Sequence, residues 1–322
     1  MASVAKEEKS YFKFMKFGAN TRLSLFMLLK HKSLFFAKKD VLNDPTDCKP
    51  FLYVDLDEEK CLSKLNDLIE SMKASSSASS YWQRQAQRLL EFRLATSDSS
   101  KENAKRPISR NFYFNGKYHT EYGPAILEEF ISRYFSYLID DAKIFSMARI
   151  WHEPRLWAHY AEGHKGLCLE LTGLEQLPEA VVSGFVDYTS RRPRVSVSDL
   201  IAIQGRGNIQ HKQETLSRLY LQKSIGWEYE KENRLFLAKS DFDKIKPVLR
   251  LPEGDYIRCD KVKIKSITLG LNSSEYDYRM ISVFVDDFID KRHYPAIYRI
   301  RQNDDDYDLS REEVHSDDFF EF

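Results

Sequence analysis

Cysteine is scarce in this chain of 322 residues. Cys48, Cys61, Cys168 and Cys259 form no CxxC pair and no spacing of a zinc or disulfide framework, so they read as reduced thiols. Excess charge of either sign is also missing, with 49 basic and 49 acidic residues. Bulk charge therefore argues for neither a nucleic-acid coat nor a funnel for acidic ligands. The longest apolar run, LSLFMLL, is far too short to span a bilayer, and the charged N-terminus has no apolar stretch before a small-residue cleavage site. These absences lead us to expect a cytoplasmic protein with no membrane partner. No repeat of fixed period occurs, which excludes solenoids and propellers. There is no GxGxxG, Walker or GxSxG spacing, and the two glycines of QGRGN (204–208) read as a loop.

What is present is ample material for a core: 42% apolar and 13% aromatic residues. Nine of the acids but only Arg311 among the bases fall in 304–322, which leaves a formal +8 upstream. The expected organisation is a single α+β domain over 1–303, with a helical insert at about 55–140, followed by an acidic tail over 304–322. YFKFMKFG, TRLSLFMLLKHKS and SLFFAKK read as a β-α-β opening. Two helical patterns in 57–95 flank the serine-rich ASSSASS, and GPAILEEFISRYFSYLIDD carries a proline where a helix begins. Short strands dominate from Lys143. SSEYDYRMISVFVDDFID reads as a serine-capped helix, and YPAIYRIRQ as the strand that closes the sheet.

Three stretches carry polar chemistry. GWEYEKENRLFL (226–237), read as a strand, puts Glu230, Glu232, Arg234 and Phe236 on one face. Two carboxylates about 7 Å apart can hold different pKa values and divide acid, base and electrostatic roles. Such a pair suits a cationic transition state at a sugar carbon. The same spacing also fits a solvated ladder of charges. RLWAHYAEGHKGLCLEL (155–171) offers Trp157, His159 and Tyr160 on a short helix and His164 in a glycine-bounded turn. That is either an aromatic surface for a flat ligand or an amphipathic helix with its aromatics in the core. His159, His164 and Glu162 lack the spacing of a zinc helix, and no bound metal is expected. LNDPTDC (42–48) sets Asn43, Asp44 and Asp47 in a tight turn, at a ligand mouth or simply holding the turn.

Taken in order, FMKF (14–17), LNDPTDC, FSMARIWHEPRLWAHYAEGHKGLCLEL, VDY, KSIGWEYEKENRL and TLG resemble a bacterial family known as domain of unknown function 2971. The resemblance runs from about residue 14 to 271, with Leu42, Thr46, Ile144 and Leu156 departing from its pattern at packing positions. The layout is also similar to that of ADP-ribosyltransferases, which implies a mixed or split β-sheet core. It further implies an NAD-consuming effector of the kind found in anti-phage or toxin settings. On that likeness Glu232 is the catalytic glutamate and Glu230 its partner, and NAD is the substrate. Lys16, Asn43, Asp44, Trp157, His159, Tyr160 and Arg234 would then contribute to NAD binding. The implied partners are a protein or nucleic-acid acceptor and a regulatory protein. Two alternatives compete with this reading. One is a metal-dependent nuclease built on Asp187, Glu230, Glu232 and Lys231. The other is a non-catalytic binding module that uses the WAHY aromatics or the DDFFEF tail.

Overall fold

The structure is a computed structural model that describes residues 8–57, 59–63, 80–97, 112–199, 209–288, 294–303 and 305–314. The chain divides into two compact units, residues 1–48, 141–192 and 220–322 in the first, and 49–140 and 193–219 in the second. The architecture mixes α and β with one large mixed sheet, compatible with an α+β class. No described helix is long and apolar enough to cross a membrane.

In the first unit, strand β1 (Tyr11–Met15) alternates its side chains, sending Tyr11 to one core cluster and Phe12 and Phe14 to another. Helix α1 (Ala19–His31) ends where Lys32 adopts a left-handed conformation (φ 51°), and its N–H returns to the Leu28 carbonyl. Strand β2 (Ser33–Lys38) follows, so the β-α-β opening stands as read. The remaining elements of this unit are β3 (Lys143–Ala148), α2 (Pro154–Tyr160), β4 (Leu167–Thr172), β5 (Val182–Phe185), β6 (Asp187–Thr189), β7 (Gln222–Ser224), β8 (Glu232–Leu237), β9 (Leu249–Leu251), β10 (Gly254–Arg258), β11 (Lys263–Leu269), α3 (Glu275–Phe288), β12 (Ala296–Gln302) and β13 (Leu309–Glu313).

Eleven of these strands form one sheet, in the order β9-β10-β2-β3-β1-β4-β11-β12-β13, with β8 paired to β3 and β5. Only β11 and β12 run parallel within it, joined by α3 as the crossover that a parallel pair requires. Ser274 and Asp277 cap that helix reciprocally, as the serine signal anticipates. Strand β13 pairs along β12, so residues of the expected acidic tail, and not YPAIYRIRQ, close this edge. The DDFFEF segment lies outside the described residues, as do ASSSASS and QGRGN.

The pairing of β3 positions the site. One edge of β3 is matched to β8 along its whole length, Lys143 to Ala148. The other edge is shared: β2 meets it only at Lys143 and Ile144, and β1 only at Ala148. Between those contacts β1 and β2 part and the sheet forks. A strand edge left open within a protein must find other partners for its polar groups, and here the Lys13 ammonium donates to the Ser146 carbonyl (2.8 Å).

The second unit takes in 193–219 as well as the expected insert, because Arg194–Ser196 adds in parallel to Phe51–Tyr53. Its helices Ser80–Ser97 and Pro124–Asp140 accompany a hairpin of Phe112–Phe114 and Lys117–His119. Trp82 packs edge-on against Phe114, Phe130 and Tyr134 in its core. Asp199 accepts from the Ser196 amide and pairs with Arg218, which fastens the start of 193–219 to the helix Ile209–Tyr220. The first of the two helical patterns expected in 57–95 falls mostly outside the described residues.

Candidate functional site

The strand reading of GWEYEKENRLFL holds only from Glu232 onward. Residues Ile225–Glu230 wind as a 3-10 turn, Lys231 takes a left-handed conformation (φ 43°), and β8 begins at Glu232. Glu230 and Glu232 are therefore not alternate residues of one pleat. The positive φ at a lysine carries a modest conformational cost, and two hydrogen bonds from Arg149, its amide (3.0 Å) and its Nε (3.1 Å), hold the Lys231 carbonyl. This kink turns both glutamates into the protein, where they are 4% and 3% exposed. The open charge ladder is thereby excluded.

On β8 the side chains of Glu232 and Arg234 lie two residues apart on one face. Arg234 grips Glu232 with Nε (2.8 Å) and Nη2 (2.9 Å), and Asp47 with Nη1 (3.1 Å) and Nη2 (2.7 Å). Its Nη1 also donates to the Tyr220 carbonyl (2.8 Å). A planar guanidinium is suited to such paired, two-pronged contacts. Lys223 stands at the meeting point of three carboxylates, 2.6 Å from Glu230, 3.6 Å from Glu232 and 3.8 Å from Asp47. Tyr160 donates to Glu230 Oε1 (2.5 Å) and accepts from Asn43 Nδ2 (2.7 Å). The Tyr188 hydroxyl accepts from the Glu232 amide (2.8 Å).

The two glutamates are perturbed in opposite directions. Burial pushes the Glu230 carboxyl above its ordinary value, and Lys223 and Tyr160 only partly oppose this. Burial also disfavours a charged Glu232, but Arg234 beside it, with Lys223 and the Ser146 hydroxyl, outweighs that and holds it down to about 2. Burial raises the Tyr160 hydroxyl, with the Glu230 carboxylate adding to the effect. Burial lowers Lys13 to about 8 even though Glu232 and Glu230 favour its charge. The Cys48 thiol is pushed up to about 12 by burial, so it is no nucleophile here.

Both glutamates, with Arg234, Lys223, Tyr160 and Lys13, form one wall of a cavity of about 440 Å³ that occupies the fork of the sheet, a size suited to a small ligand. Lys13, Lys16, Asn43, Asp47, His159, Tyr160, Lys223, Glu230, Glu232 and Arg234 reach it, together with apolar side chains such as Phe14, Leu28, Leu34 and Phe145. Of the residues expected for binding, Lys16, Asn43, His159, Tyr160 and Arg234 thus share the cavity with both glutamates. Arg234 is 1% exposed and committed to carboxylates, which makes it the clamp of the site more than a ligand contact.

Two expectations are corrected. Trp157 is fully buried, edge-on to Phe14 (5.0 Å), and its indole N–H donates to the Trp151 carbonyl (2.7 Å). It is a core residue, because its large apolar surface faces β1 from a helix only seven residues long. Asp44 does not line the cavity: its Oδ1 accepts from the Thr46 amide (2.8 Å) and hydroxyl (2.7 Å), the local bonding that holds a turn. The aromatic group near the glutamates is instead His159 with Trp227 (6.3 Å) and Tyr229 (6.2 Å). Of the residues named for a nuclease, two have partners outside that set. Asp187 accepts from Gln222 and Lys231 pairs with Glu228, and no described group of three His, Cys, Asp or Glu residues is placed to hold a metal ion.

Lys13, Ser146, Tyr188 and Lys223 escaped the sequence reading. Ser146, Tyr188 and Lys223 fall within the motifs FSMARI, VDY and KSIGWEYEKENRL, but their spacing assigns them no role, because decisive partners lie far off in sequence, 133 residues away for Lys13 and Ser146. Comparison with family models, curated proteins and solved structures finds no match.

Proposed function

We propose that this protein is an NAD-consuming enzyme with an ADP-ribosyltransferase-like arrangement, in which Glu232 stabilises the ribosyl oxocarbenium ion. The observation that supports this is the pair of buried glutamates, perturbed in opposite senses, on one wall of the cavity in the forked sheet. Cleaving an N-glycosidic bond places positive charge on the sugar carbon, and a fixed carboxylate that stays ionised lowers that barrier without reorganising. Glu232, held down by Arg234, meets that requirement across the physiological range. Glu230, held up by burial and bonded to Tyr160 and Lys223, is suited to exchanging a proton with the attacking nucleophile. Lys16, exposed at the cavity, would meet the pyrophosphate, and His159, Trp227 and Tyr229 offer faces for a flat ring. The acceptor is water, a protein or a nucleic acid. An effector of the anti-phage or toxin kind, under control of a partner protein, accords with that chemistry.

The test is nicotinamide release from NAD, followed by chromatography. Wild type should release it, and Glu232→Gln should lose at least about a hundred-fold, in the range of removing one electrostatic contact to a transition state, with an unchanged far-ultraviolet circular dichroism spectrum. Turnover indifferent to Glu232, or no turnover by wild type with or without acceptor protein and nucleic acid, overturns the reading.

A further inference from the structure

Lys143 and Lys223 are buried and Lys13 is partly buried at the cavity of the fork, and the three differ in one respect. Lys143 is ion-paired to Asp255, and Lys223 to Glu230 at 2.6 Å. Lys13 has no carboxylate within 4.0 Å among the described residues. Its ammonium has one polar partner, the Ser146 carbonyl (2.8 Å), and sits 4.8 Å from the centre of the Phe145 ring. It is not sealed off, for the side chain keeps partial exposure and lines the cavity of the fork. An ammonium carries three N–H groups, so a single neutral acceptor leaves it poorly compensated for the water it has lost. The cavity around it is largely apolar, with Phe14, Met15, Leu28, Leu34 and Phe145 among its walls.

From this geometry we infer that Lys13 is a carbonyl-reactive amine that takes an aldehyde borne on an apolar or aromatic body as a reversible Schiff base. Desolvated lysines that retain access to a pocket are the ones recruited to this chemistry. The neutral amine's lone pair attacks the carbonyl carbon as the C=O π pair moves to oxygen. The nitrogen loses its protons, the carbinolamine oxygen gains one and leaves as water, and a C=N bond remains. Amine plus aldehyde thus gives imine plus water, reversed by hydrolysis, with no oxidant or reductant involved. The inference is independent of the NAD reading, since it requires neither glutamate to be catalytic.

Burial lowers Lys13 to about 8, with Glu232 and Glu230 pulling the other way. Asp47, Lys16, Lys223 and Arg234 are the other charged groups on the same cavity. At pH 7 such a lysine is about one-tenth neutral, whereas an exposed lysine near 10.4 is neutral in about one part in 2,500, a ratio of roughly 200. Limited access through the cavity offsets part of that ratio.

The test is limiting benzaldehyde with cyanoborohydride at pH 7, which reduces any imine to a stable benzylamine, followed by peptide mass mapping. Lys13 should acquire the benzyl mass at least ten-fold faster than exposed lysines such as Lys49, with a rate that rises through an apparent pKa near 8. Mapping separates it from the α-amino group, which titrates in the same range. Lys13→Arg should lose the fast site alone. Labelling of Lys13 no faster than Lys49, or a rate that follows a pKa near 10.4, overturns the inference. Both readouts come from the wild-type chain, so they decide the matter even if Lys13→Arg fails to fold.

Discussion

Replacing Arg234 by methionine removes the clamp of the site while keeping most of its apolar stem. Arg234 is 1% exposed and makes two-pronged contacts to Glu232 and Asp47 plus one to the Tyr220 carbonyl. The variant would bury two carboxylates with Lys223 as their nearest remaining cation among the described residues, 3.6 and 3.8 Å away. Breaking a buried pair by removing one partner costs about 3–5 kcal/mol. Glu232 alone gives a figure of the same size, since the gap between an ordinary glutamate near 4.3 and about 2 corresponds to about 3 kcal/mol. That contribution belongs to a carboxyl whose folded pKa is depressed. It is fully present above about pH 4.3 and is lost as pH falls toward 2. Arg234→Met should therefore cost about 3–5 kcal/mol at pH 7 in urea denaturation, and the difference from wild type should shrink as pH falls through about 4.3 toward 2 and the carboxylates take up protons. Glu232→Gln in the same background should restore part of the loss. A cost below about 1 kcal/mol, or a cost that does not change between pH 7 and about pH 3, would refute the view that Arg234 works by compensating buried charge.

Tyr160→Phe deletes a hydroxyl that favours the charged form of Glu230. The Glu230 carboxyl, already raised, should titrate still higher in carbon-13 NMR, and an unmoved titration would dismiss the Tyr160 contact as inert. Trp157→Ala should cost about 3–5 kcal/mol in thermal or urea denaturation, as for other buried aromatic truncations. If it instead weakens binding of an NAD analogue at unchanged stability, Trp157 belongs to the site and not the core. Ser274→Ala removes one half of the reciprocal cap of α3 and should lower stability by about 1 kcal/mol, with no loss indicating that the cap is idle.

Patterns that depend on near neighbours were legible in the chain. The β-α-β opening, the capped helix Glu275–Phe288 and the turn held by Asp44 all follow from local periodicity and local hydrogen bonding. So did the suspicion attached to Glu230 and Glu232, because paired carboxylates beside an arginine are uncommon material for a core. The same local reasoning failed where a long-range contact overruled it. A strand through Glu230 was the natural reading of alternation, yet Lys223 and Tyr160 hold that glutamate in a 3-10 turn from 7 and 70 residues away. Local spacing leaves Trp157 open between a recognition surface and the core, and the distant Phe14 packed against it decides for the core.

By itself the sequence determined the kinds of element, the presence of a core and the carboxylates worth watching, because those depend on composition and on spacings of two to four residues. Tertiary structure alone decided that β1 and β2 part along β3, that Lys13 fills the gap, and that Lys223 and Asp47 join the glutamates. The ionisation of each glutamate was decided there too. A carboxyl's pKa is set by its loss of water and by charges within a few ångströms, and here Asp47 reaches Arg234 from 187 residues away.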